Sequence, residues 1–292
     1  MKIVTFTRSN TNGSYRIGSL VSETEIIDLT HLVSDSGLSR TDVLNCFDRD
    51  QAFYDEAISA VENRTLPVVS LNDVSLEAPV PRPGKIICIG LNYRDHAAES
   101  GMPIPTSPII FSKFSSCAIG PGASIVVPHG STQSDYEAEL AFIVGRYARN
   151  VARENALDHV FGYTNFNDVS ARDFQFADGQ WQRGKSCETF APMGMFVVTT
   201  DEIPDPQNLS IRLRLNGETM QDSSTDQMIF GVAELVEFLS RYIVLEPGDV
   251  VATGTPPGVG FARKPPVYLK DGDIVEVEIE GLGTLSNPVS VP

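Results

Sequence analysis

Hydrophobic and polar positions alternate along residues 135–144 in the manner of a β-strand. Successive side chains of a strand point to opposite faces, so Glu137 and Glu139 share a face with Ala141 and Ile143, while the other face is apolar. This pattern predicts a strand that is buried on both sides. Two glutamates in such a strand need a metal ion or an ion pair to compensate their charge. The alternative is an edge strand whose glutamates are solvated.

The N-terminal part of the chain has the pattern of a small β-meander followed by a helix. Strands are predicted at residues 2–8 and 15–29, a hairpin turn at Asn12-Gly13, and a helix at residues 40–63. Ser39 or Thr41 is the expected N-cap of that helix. Prolines punctuate residues 66–83 and indicate a linker. We therefore predict a small α/β domain at residues 1–78 and a larger domain at residues 79–292.

The larger domain is predicted to be β-rich and mixed, with few helices, so that the fold class is α+β and not a repeated βαβ unit. Its expected strands are residues 86–89, 109–114, 124–127, 135–144, 163–167, 249–253, 267–269 and 274–279. Helices are expected at residues 152–161 and 232–243. The segment that begins at Gly90 and continues through Pro103, Pro105 and Pro108 is expected to be short and exposed.

Charge and cysteine content narrow the possible partners and location. The chain of 292 residues has 22 Lys and Arg against 38 Asp and Glu, which gives a net charge of −16 and argues against a nucleic-acid or anionic-membrane partner. Its four cysteines have no paired or metal-type spacing, as is typical of reduced thiols. The N-terminus has no signal-peptide core, and no apolar run approaches the length of a membrane span. A cytoplasmic location is expected, and a mitochondrial location is the alternative left open.

Asp168 is a candidate partner for the two glutamates because it follows the strand predicted at residues 163–167. Together the three side chains would form an oxygen-only site, which suits Mg²⁺, Mn²⁺ or Ca²⁺ better than Zn²⁺. The competing interpretation is that Asp168 is only the N-cap of a helical turn.

Three further features have both a chemical and a structural interpretation. His96 and Glu99 are three positions apart, so on a helical turn the carboxylate would orient the imidazole as a general base, unless the two are incidental surface neighbours. Lys185 lies in a glycine-containing loop, where lysines are commonly solvated. The stretch 253–260 either forms a plain glycine-proline turn or offers N–H groups and the Thr253 hydroxyl to a carboxylate.

These motifs in combination resemble the fumarylacetoacetate hydrolase family over residues 85 to about 289, nearest to the branch that contains the domain-containing protein 2 homologues and bacterial sugar-acid diketone hydrolases. The resemblance is carried by Ile89-Gly90-Leu91-Asn92-Tyr93 with His96 and Glu99, Asp135-Tyr136-Glu137-Ala138-Glu139, Asn167-Asp168-Val169-Ser170-Ala171-Arg172, Gly184-Lys185-Ser186 and Thr253-Gly254-Thr255-Pro256-Pro257-Gly258.

The resemblance implies a role for each matching position. Glu137, Glu139 and Asp168 match the ligands of a Mg²⁺, Mn²⁺ or Ca²⁺ ion. His96 and Glu99 match a dyad that activates water on a lid segment, and Lys185 matches a lysine near the substrate carbonyl. The substrate-binding positions implied are Asn92, Tyr93, Arg172, Gln175, Thr253 and Gly254. The family also implies a mixed β-roll and a homodimer.

The expected activity is hydrolysis of a C–C bond in a 2,4-dioxo acid, with a small-molecule carboxylate as substrate. The metal would stabilise the enolate that leaves, and His96 would activate the attacking water. The alternatives are an oxaloacetate-type decarboxylase or a 2-oxo acid isomerase or tautomerase in the same site. A metal-binding or small-molecule-binding protein with little turnover is the alternative from another class. Specificity is expected in residues 93–106 and 174–181.

Overall fold

The strand predicted at residues 135–144 lies in the middle of the main sheet. In the computed structural model, which describes residues 1–8 and 14–292, it is divided into Ser134–Asp135 and Ala138–Val144. Every residue of Ala138–Val144 is buried, which confirms that this strand is covered on both faces. Glu137 lies between the two strands, and its N–H donates to Oδ1 of Asn167 at 3.0 Å.

Eleven strands form the main sheet within the described residues. Ten of them follow one another across it in the order Val68–Ser70, Glu25–Asp28, Arg16–Leu20, Lys2–Thr7, Val197–Thr199, Val160–Asn167, Ala138–Val144, Val250–Ala252, Ile86–Gly90 and Ile109–Lys113, and the eleventh, Ser75–Leu76, pairs with Lys2–Thr7. The strand Val250–Ala252 runs parallel to Ile86–Gly90. The sheet crosses the boundary predicted at residue 78, and the division into domains 1–78 and 79–292 stays a prediction.

A second sheet covers the centre of the first. Its five strands among the described residues are, in order, Glu218–Ser224, Ser210–Leu215, Ile274–Ile279, Gly283–Ser290 and Ile125–Val126. It packs against Ala138–Val144 and Val160–Asn167, so the core lies between the two sheets. Two short ladders complete the roll, formed by Ser134–Asp135 with Ser170–Ala171 and by Ala118–Ile119 with Ala191–Pro192.

The helices are short and lie outside the sheets. The α-helices are Arg40–Asn45, Ala52–Asn63, Arg94–Glu99, Arg172–Phe176, Trp181–Lys185 and Val232–Tyr242. The 3₁₀ helices are Thr30–Leu32, Leu71–Asp73, Ser115–Cys117, Arg153–His159, Thr225–Gln227 and Gly260–Ala262. In the part of the chain that the structure describes, no helix has the length and apolar character needed to cross a membrane.

The helix predicted at residues 40–63 is interrupted. Ser39 caps its first part as expected, because its hydroxyl accepts from the N–H of Asp42 and the Asp42 carboxylate accepts from the N–H of Ser39. The chain leaves the helix after residue 45, and the N–H of Arg49 donates to the carbonyl of Gly145 at 2.8 Å. A bond to Gly145, the residue that follows the strand Ala138–Val144, thus takes the place of helical bonds that local periodicity favours.

Other sequence predictions differ from the structure in smaller ways. The strand predicted at residues 267–269 is absent, residues 153–159 form a 3₁₀ helix where an α-helix was expected, and the strands at residues 210–215, 218–224 and 283–290 were not predicted. The segment 93–106 is not wholly exposed, since Tyr93, His96 and Ala97 are buried. The predicted turn at Asn12-Gly13 lies outside the described residues.

Candidate active site

Three carboxylates meet where the central strands of the main sheet end. Glu139 lies within Ala138–Val144, Asp168 directly follows the adjacent strand Val160–Asn167, and Glu137 precedes Ala138. Ala138 is paired with Asn167, which brings the two strand ends together, and the N–H of Asp168 donates to the carbonyl of Glu137 at 2.9 Å. One oxygen from each carboxylate lies within 4.8 Å of the others. We call Glu137, Glu139 and Asp168 the carboxylate triad.

The triad has the donor set of a hard divalent cation. All three residues are buried, and they offer only oxygen atoms. Mg²⁺, Mn²⁺ and Ca²⁺ prefer such ligands, whereas the cluster contains no histidine or cysteine for Zn²⁺. The residues present therefore fit the metal that the sequence predicts.

Two buried lysines compensate part of the triad's charge. Nζ of Lys185 donates to Glu137 and to Asp168, each at 2.7 Å. Nζ of Lys113 donates to the other oxygen of Asp168 and, at 2.9 Å, to the carbonyl of Val169. Asp168 is thus held between two lysine ammonium groups, which fixes its orientation toward the other carboxylates.

Glu137 and Glu139 have different electrostatic surroundings. Burial by itself would raise the pKa of Glu137, but the charges of Arg172 and Lys185 outweigh burial and hold that pKa well below its usual range. Burial raises the pKa of Glu139, and the carboxylates of Asp168 and Glu137 raise it further. Among the described residues Glu139 forms no ion pair, and its Oε2 accepts from the N–H of Gly254 at 2.8 Å. A cation bound at the triad would supply the compensation that Glu139 lacks.

Arg172 is fixed by groups on several sides. Its Nε donates to Asp135 at 2.9 Å, one terminal nitrogen donates to Gln175 at 3.0 Å, and the other donates to Glu137. Asp135 also accepts from the N–H groups of Gly260, at 2.7 Å, and Phe261. These hydrogen bonds hold the guanidinium of Arg172 in one position at the side of the site.

Glu137 and Glu139 of the triad line a cavity of about 480 Å³. Its polar lining residues include His96, Glu99, Glu137, Glu139, Arg172, Gln175, Lys185 and Thr255. Its remaining lining is largely apolar and includes Phe111, Phe176, Trp181 and Phe261. A larger cavity of about 1110 Å³ lies beside Met1 and Leu20, apart from the triad.

His96 and Glu99 form the expected pair on the short helix Arg94–Glu99. Nδ1 of His96 lies 3.1 Å from Oε2 of Glu99, and the N–H of Gly258 donates to the Glu99 carboxylate at 3.0 Å. An imidazole whose Nδ1–H faces a carboxylate has Nε2 as its basic nitrogen. Both side chains line the cavity together with Glu137 and Glu139.

Four of the predicted substrate-binding residues lie outside the cavity lining. The Asn92 amide bonds to the backbone of Phe230 and Thr253, and the Thr253 hydroxyl donates to the carbonyl of Leu140 at 2.8 Å. The Tyr93 hydroxyl is buried without a hydrogen-bond partner among the described residues, and Gly254 contacts Glu139. The side chains of Asn92 and Thr253 thus bind the backbone, while Arg172 and Gln175 line the cavity. The substrate-binding role of all six residues stays a prediction.

Sequence reasoning missed two residues that bind site side chains. Lys113 ends the strand Ile109–Lys113, and period-two alternation places it on the same face as Ile109 and Phe111, which both line the cavity. That alternation was the available signal. Asp135 is part of the motif Asp135-Tyr136-Glu137-Ala138-Glu139, but no role was predicted for it from the sequence. Its bond to Arg172 is evident only from the fold.

Known proteins share both this fold and much of this sequence. The family model described as "Fumarylacetoacetate (FAA) hydrolase C-terminal" matches residues 85–290. "Oxaloacetate tautomerase fahd2, mitochondrial" from Xenopus laevis is 51% identical over 224 residues, which are 76% of this chain and 70% of the relative.

Two solved structures extend the likeness to the whole chain. A fumarylacetoacetate hydrolase from psychrophilic Exiguobacterium antarcticum is 39% identical, with a TM-score of 0.86 and 100% of both chains covered. Maleylpyruvate hydrolase from Sphingobium sp. SYK-6, in complex with manganese (II) ion and pyruvate, is 29% identical, with a TM-score of 0.82 over 100% of this chain and 99% of that one. The β-rich mixed fold predicted from the sequence is confirmed, and the chain belongs to the fumarylacetoacetate hydrolase family.

Proposed function

We propose that this chain is a divalent-metal-dependent tautomerase of 2-oxo acids, with oxaloacetate as the first substrate to test. The observation that carries the proposal is that the His96–Glu99 pair lines one cavity with Glu137 and Glu139, two members of the carboxylate triad. A proton-transferring group and a candidate metal site therefore face the same space. The relative from Xenopus laevis is named for this reaction. Of the activities expected from the sequence, the alternative of tautomerisation is therefore better supported than C–C bond hydrolysis.

The residues proposed to hold Mg²⁺ or Mn²⁺ are Glu137, Glu139 and Asp168. When bound there, the ion would act as a Lewis acid toward the 2-oxo group and favour removal of the adjacent proton. Lys185 and Arg172 hold the Glu137 carboxylate from two sides, so the site keeps its shape without reorganising during the reaction.

His96 is proposed to move the proton. Its Nε2 takes a proton from C3 of the keto acid, the electron pair of the broken C–H bond forms the C2–C3 double bond, and the carbonyl π pair moves onto the 2-oxo oxygen. The imidazolium then gives its proton to that oxygen, so the enol forms and His96 is neutral again. Glu99, which accepts a hydrogen bond from the N–H of Gly258, stabilises the imidazolium that forms between the two proton transfers. Reversal of these steps gives the keto acid from the enol.

The test follows ketonisation of enol oxaloacetate with malate dehydrogenase and NADH, since only the keto form is reduced. We expect Mg²⁺ or Mn²⁺ to make the chain accelerate this step and a chelator to abolish the acceleration. No acceleration over the uncatalysed rate, by protein shown to have bound metal, would reject the proposal and favour a binding protein with little turnover.

Hydrolysis of a 2,4-dioxo acid is the second candidate. The observation that favours it is that Glu99 orients His96 as a base, which suits water activation as well as proton transfer from carbon. The assay is loss of diketone absorbance together with the appearance of two carboxylic acids. Release of pyruvate and CO₂ from oxaloacetate would instead identify decarboxylation.

Two further expectations belong to this proposal. A small-molecule carboxylate is the proposed ligand, and a homodimer remains the expected assembly, which light scattering would test. The relative from Xenopus laevis is named as mitochondrial, which favours that location over the cytoplasmic one expected from the sequence.

A further inference from the structure

The helix Arg94–Glu99, which contains His96, is too short to be stable by itself. It consists of six residues, and isolated helices of fewer than about 12 residues are marginally stable in water. A helix of this length stays folded only where other parts of the protein hold it. The position of the His96 imidazole at the cavity therefore depends on the contacts that this helix makes.

Asp95 makes one of these contacts, with a strand of the second sheet. Its Oδ2 accepts a hydrogen bond from the hydroxyl of Ser223 at 2.6 Å, and its Oδ1 accepts from the N–H of His96 at 2.9 Å. A hydroxyl–carboxylate distance of this size is typical of a strong, charge-assisted bond. The cavity lining within the described residues includes neither Asp95 nor Ser223, so the contact acts from outside the cavity.

The strand that contains Ser223 is also bound to the triad. In Glu218–Ser224, the side chain of Gln221 lies two residues before Ser223 and therefore on the same face. Oε1 of Gln221 accepts from the N–H of Ala138 at 2.9 Å, and its Nε2 donates to the hydroxyl of Thr255 at 2.9 Å. Ala138 is the residue between the two glutamates of the triad. One face of this strand thus binds both the triad's backbone and the helix that contains His96.

Two further contacts hold the ends of the helix. A terminal nitrogen of Arg94 donates to the carbonyl of Met228, and the carboxylate of Glu99 accepts from the N–H of Gly258 at 3.0 Å. Neither contact involves Ser223. Removal of the Ser223 hydroxyl should therefore leave the helix folded while releasing it from the strand.

Resting on the proposed role of His96, we propose that Ser223, acting through Asp95, is a positioning residue that sets the place of the imidazole relative to the triad. Gln221 and Ser223 lie on one strand, so the distance between the base and the candidate metal site follows from the spacing of their two contacts. Displacement of a reacting group by about 1 Å can slow a reaction by about 100-fold. The bond to Asp95 prevents such a displacement.

The test is Ser223→Ala in the full chain saturated with Mn²⁺. For ketonisation of enol oxaloacetate we expect a kcat about tenfold lower, because the two other contacts still restrain the helix, and a KM changed by less than about twofold. Calorimetric titration should give the same Mn²⁺ affinity and the same number of ions bound per chain. An unchanged kcat overturns the inference, and so does a fall in kcat that only matches a fall in the number of ions bound.

Two variants serve as controls. Ser223→Thr keeps the hydroxyl and should keep kcat within about twofold of the unsubstituted protein. Asp222→Ala changes the preceding residue, whose side chain points to the opposite face and pairs with Arg212 at 3.1 Å, so kcat should not change. Equal losses of kcat in Ser223→Ala and in either control would contradict the positioning role.

Hydrogen exchange of residues 94–102 measures the helix without any reaction. The N–H groups of Ala97 and Ser100 donate to the carbonyls of Tyr93 and His96. In Ser223→Ala their exchange should be about tenfold faster, because a hydrogen bond to a charged group is lost, and in Asp222→Ala it should be unchanged. If the unsubstituted chain does not accelerate ketonisation, the proposed function is rejected and exchange decides this inference. Unchanged exchange in Ser223→Ala overturns it whether or not the chain is active.

Discussion

Replacing Lys113 by methionine removes a charge from the triad while keeping an unbranched apolar stem. The side chain is fully buried and its ammonium group donates to Asp168 and to the carbonyl of Val169. Breaking a buried ion pair costs about 3–5 kcal/mol. Lys185 lies 2.7 Å from Asp168 in the unsubstituted protein and should keep this pairing in the variant. We therefore expect the lower end of that range, a loss of about 3 kcal/mol in the free energy of unfolding without metal.

The same substitution should strengthen metal binding. Two unit charges about 4 Å apart interact by roughly 4 kcal/mol at an effective dielectric constant of 20. Even a third of that repulsion, once removed, corresponds to about tenfold tighter binding of a divalent cation. Saturating Mn²⁺ should therefore restore at least about 1.4 kcal/mol of the stability that Lys113→Met loses.

The assay is urea unfolding with and without Mn²⁺, together with calorimetric titration of Mn²⁺. Lys85→Met is the matched control, because Lys85 also pairs with two carboxylates, Glu246 at 2.7 Å and Asp249 at 2.8 Å, but precedes the strand Ile86–Gly90 at the end away from the site. It should lose stability without any change in Mn²⁺ affinity. The reasoning fails if Lys113→Met binds Mn²⁺ no more tightly than the unsubstituted protein.

Three other substitutions test separate parts of the site. Glu139→Gln should lower Mn²⁺ affinity at least about tenfold because a buried ligand loses its charge, and unchanged affinity in calorimetry would remove Glu139 from the ligand set. His96→Gln should slow ketonisation about 100-fold or more while Mn²⁺ affinity stays unchanged, and a parallel loss of metal binding would show that the histidine acts on the ion. Gly258→Ala should also slow ketonisation. Gly258 has a φ of +100°, and an added Cβ would lie 2.1 Å from the carbonyl oxygen of Met220, so the N–H that binds Glu99 must move. A rate equal to that of the unsubstituted protein would show that this contact is dispensable.

Local sequence patterns were sufficient to find the residues whose spacing along a strand or helix places their side chains on the same face. Alternation along residues 135–144 placed Glu137 and Glu139 on one face, and their carboxylates do meet Asp168. The i, i+3 spacing of His96 and Glu99 likewise corresponds to a contact of 3.1 Å on a helix. Each of these arrangements depends on the spacing of a few neighbouring residues, so it can be predicted from the sequence.

Relations between distant segments were not predictable in this way. Lys113 is 55 residues from Asp168, and nothing in its own strand indicates which carboxylate it binds. The amide of Asn92 bonds to the backbone of Phe230 and Thr253, which are 138 and 161 residues away, and no local pattern indicates these partners. Its assignment to the substrate stays a prediction. A polar side chain in a motif can support a loop or bind a ligand, and only the positions of its partners distinguish the two.

The pairing of Lys2–Thr7 with Val197–Thr199 has a consequence for how this protein can be divided. Removing residues 1–78 would leave Val197–Thr199 as an edge strand, with unpaired N–H and carbonyl groups two strands away from Ala138–Val144. Open edges of this kind recruit strands from other chains and promote aggregation. The N-terminal segment therefore covers the edge of the sheet that contains the triad. The family model matches residues 85–290, but we expect a fragment of these residues alone to aggregate.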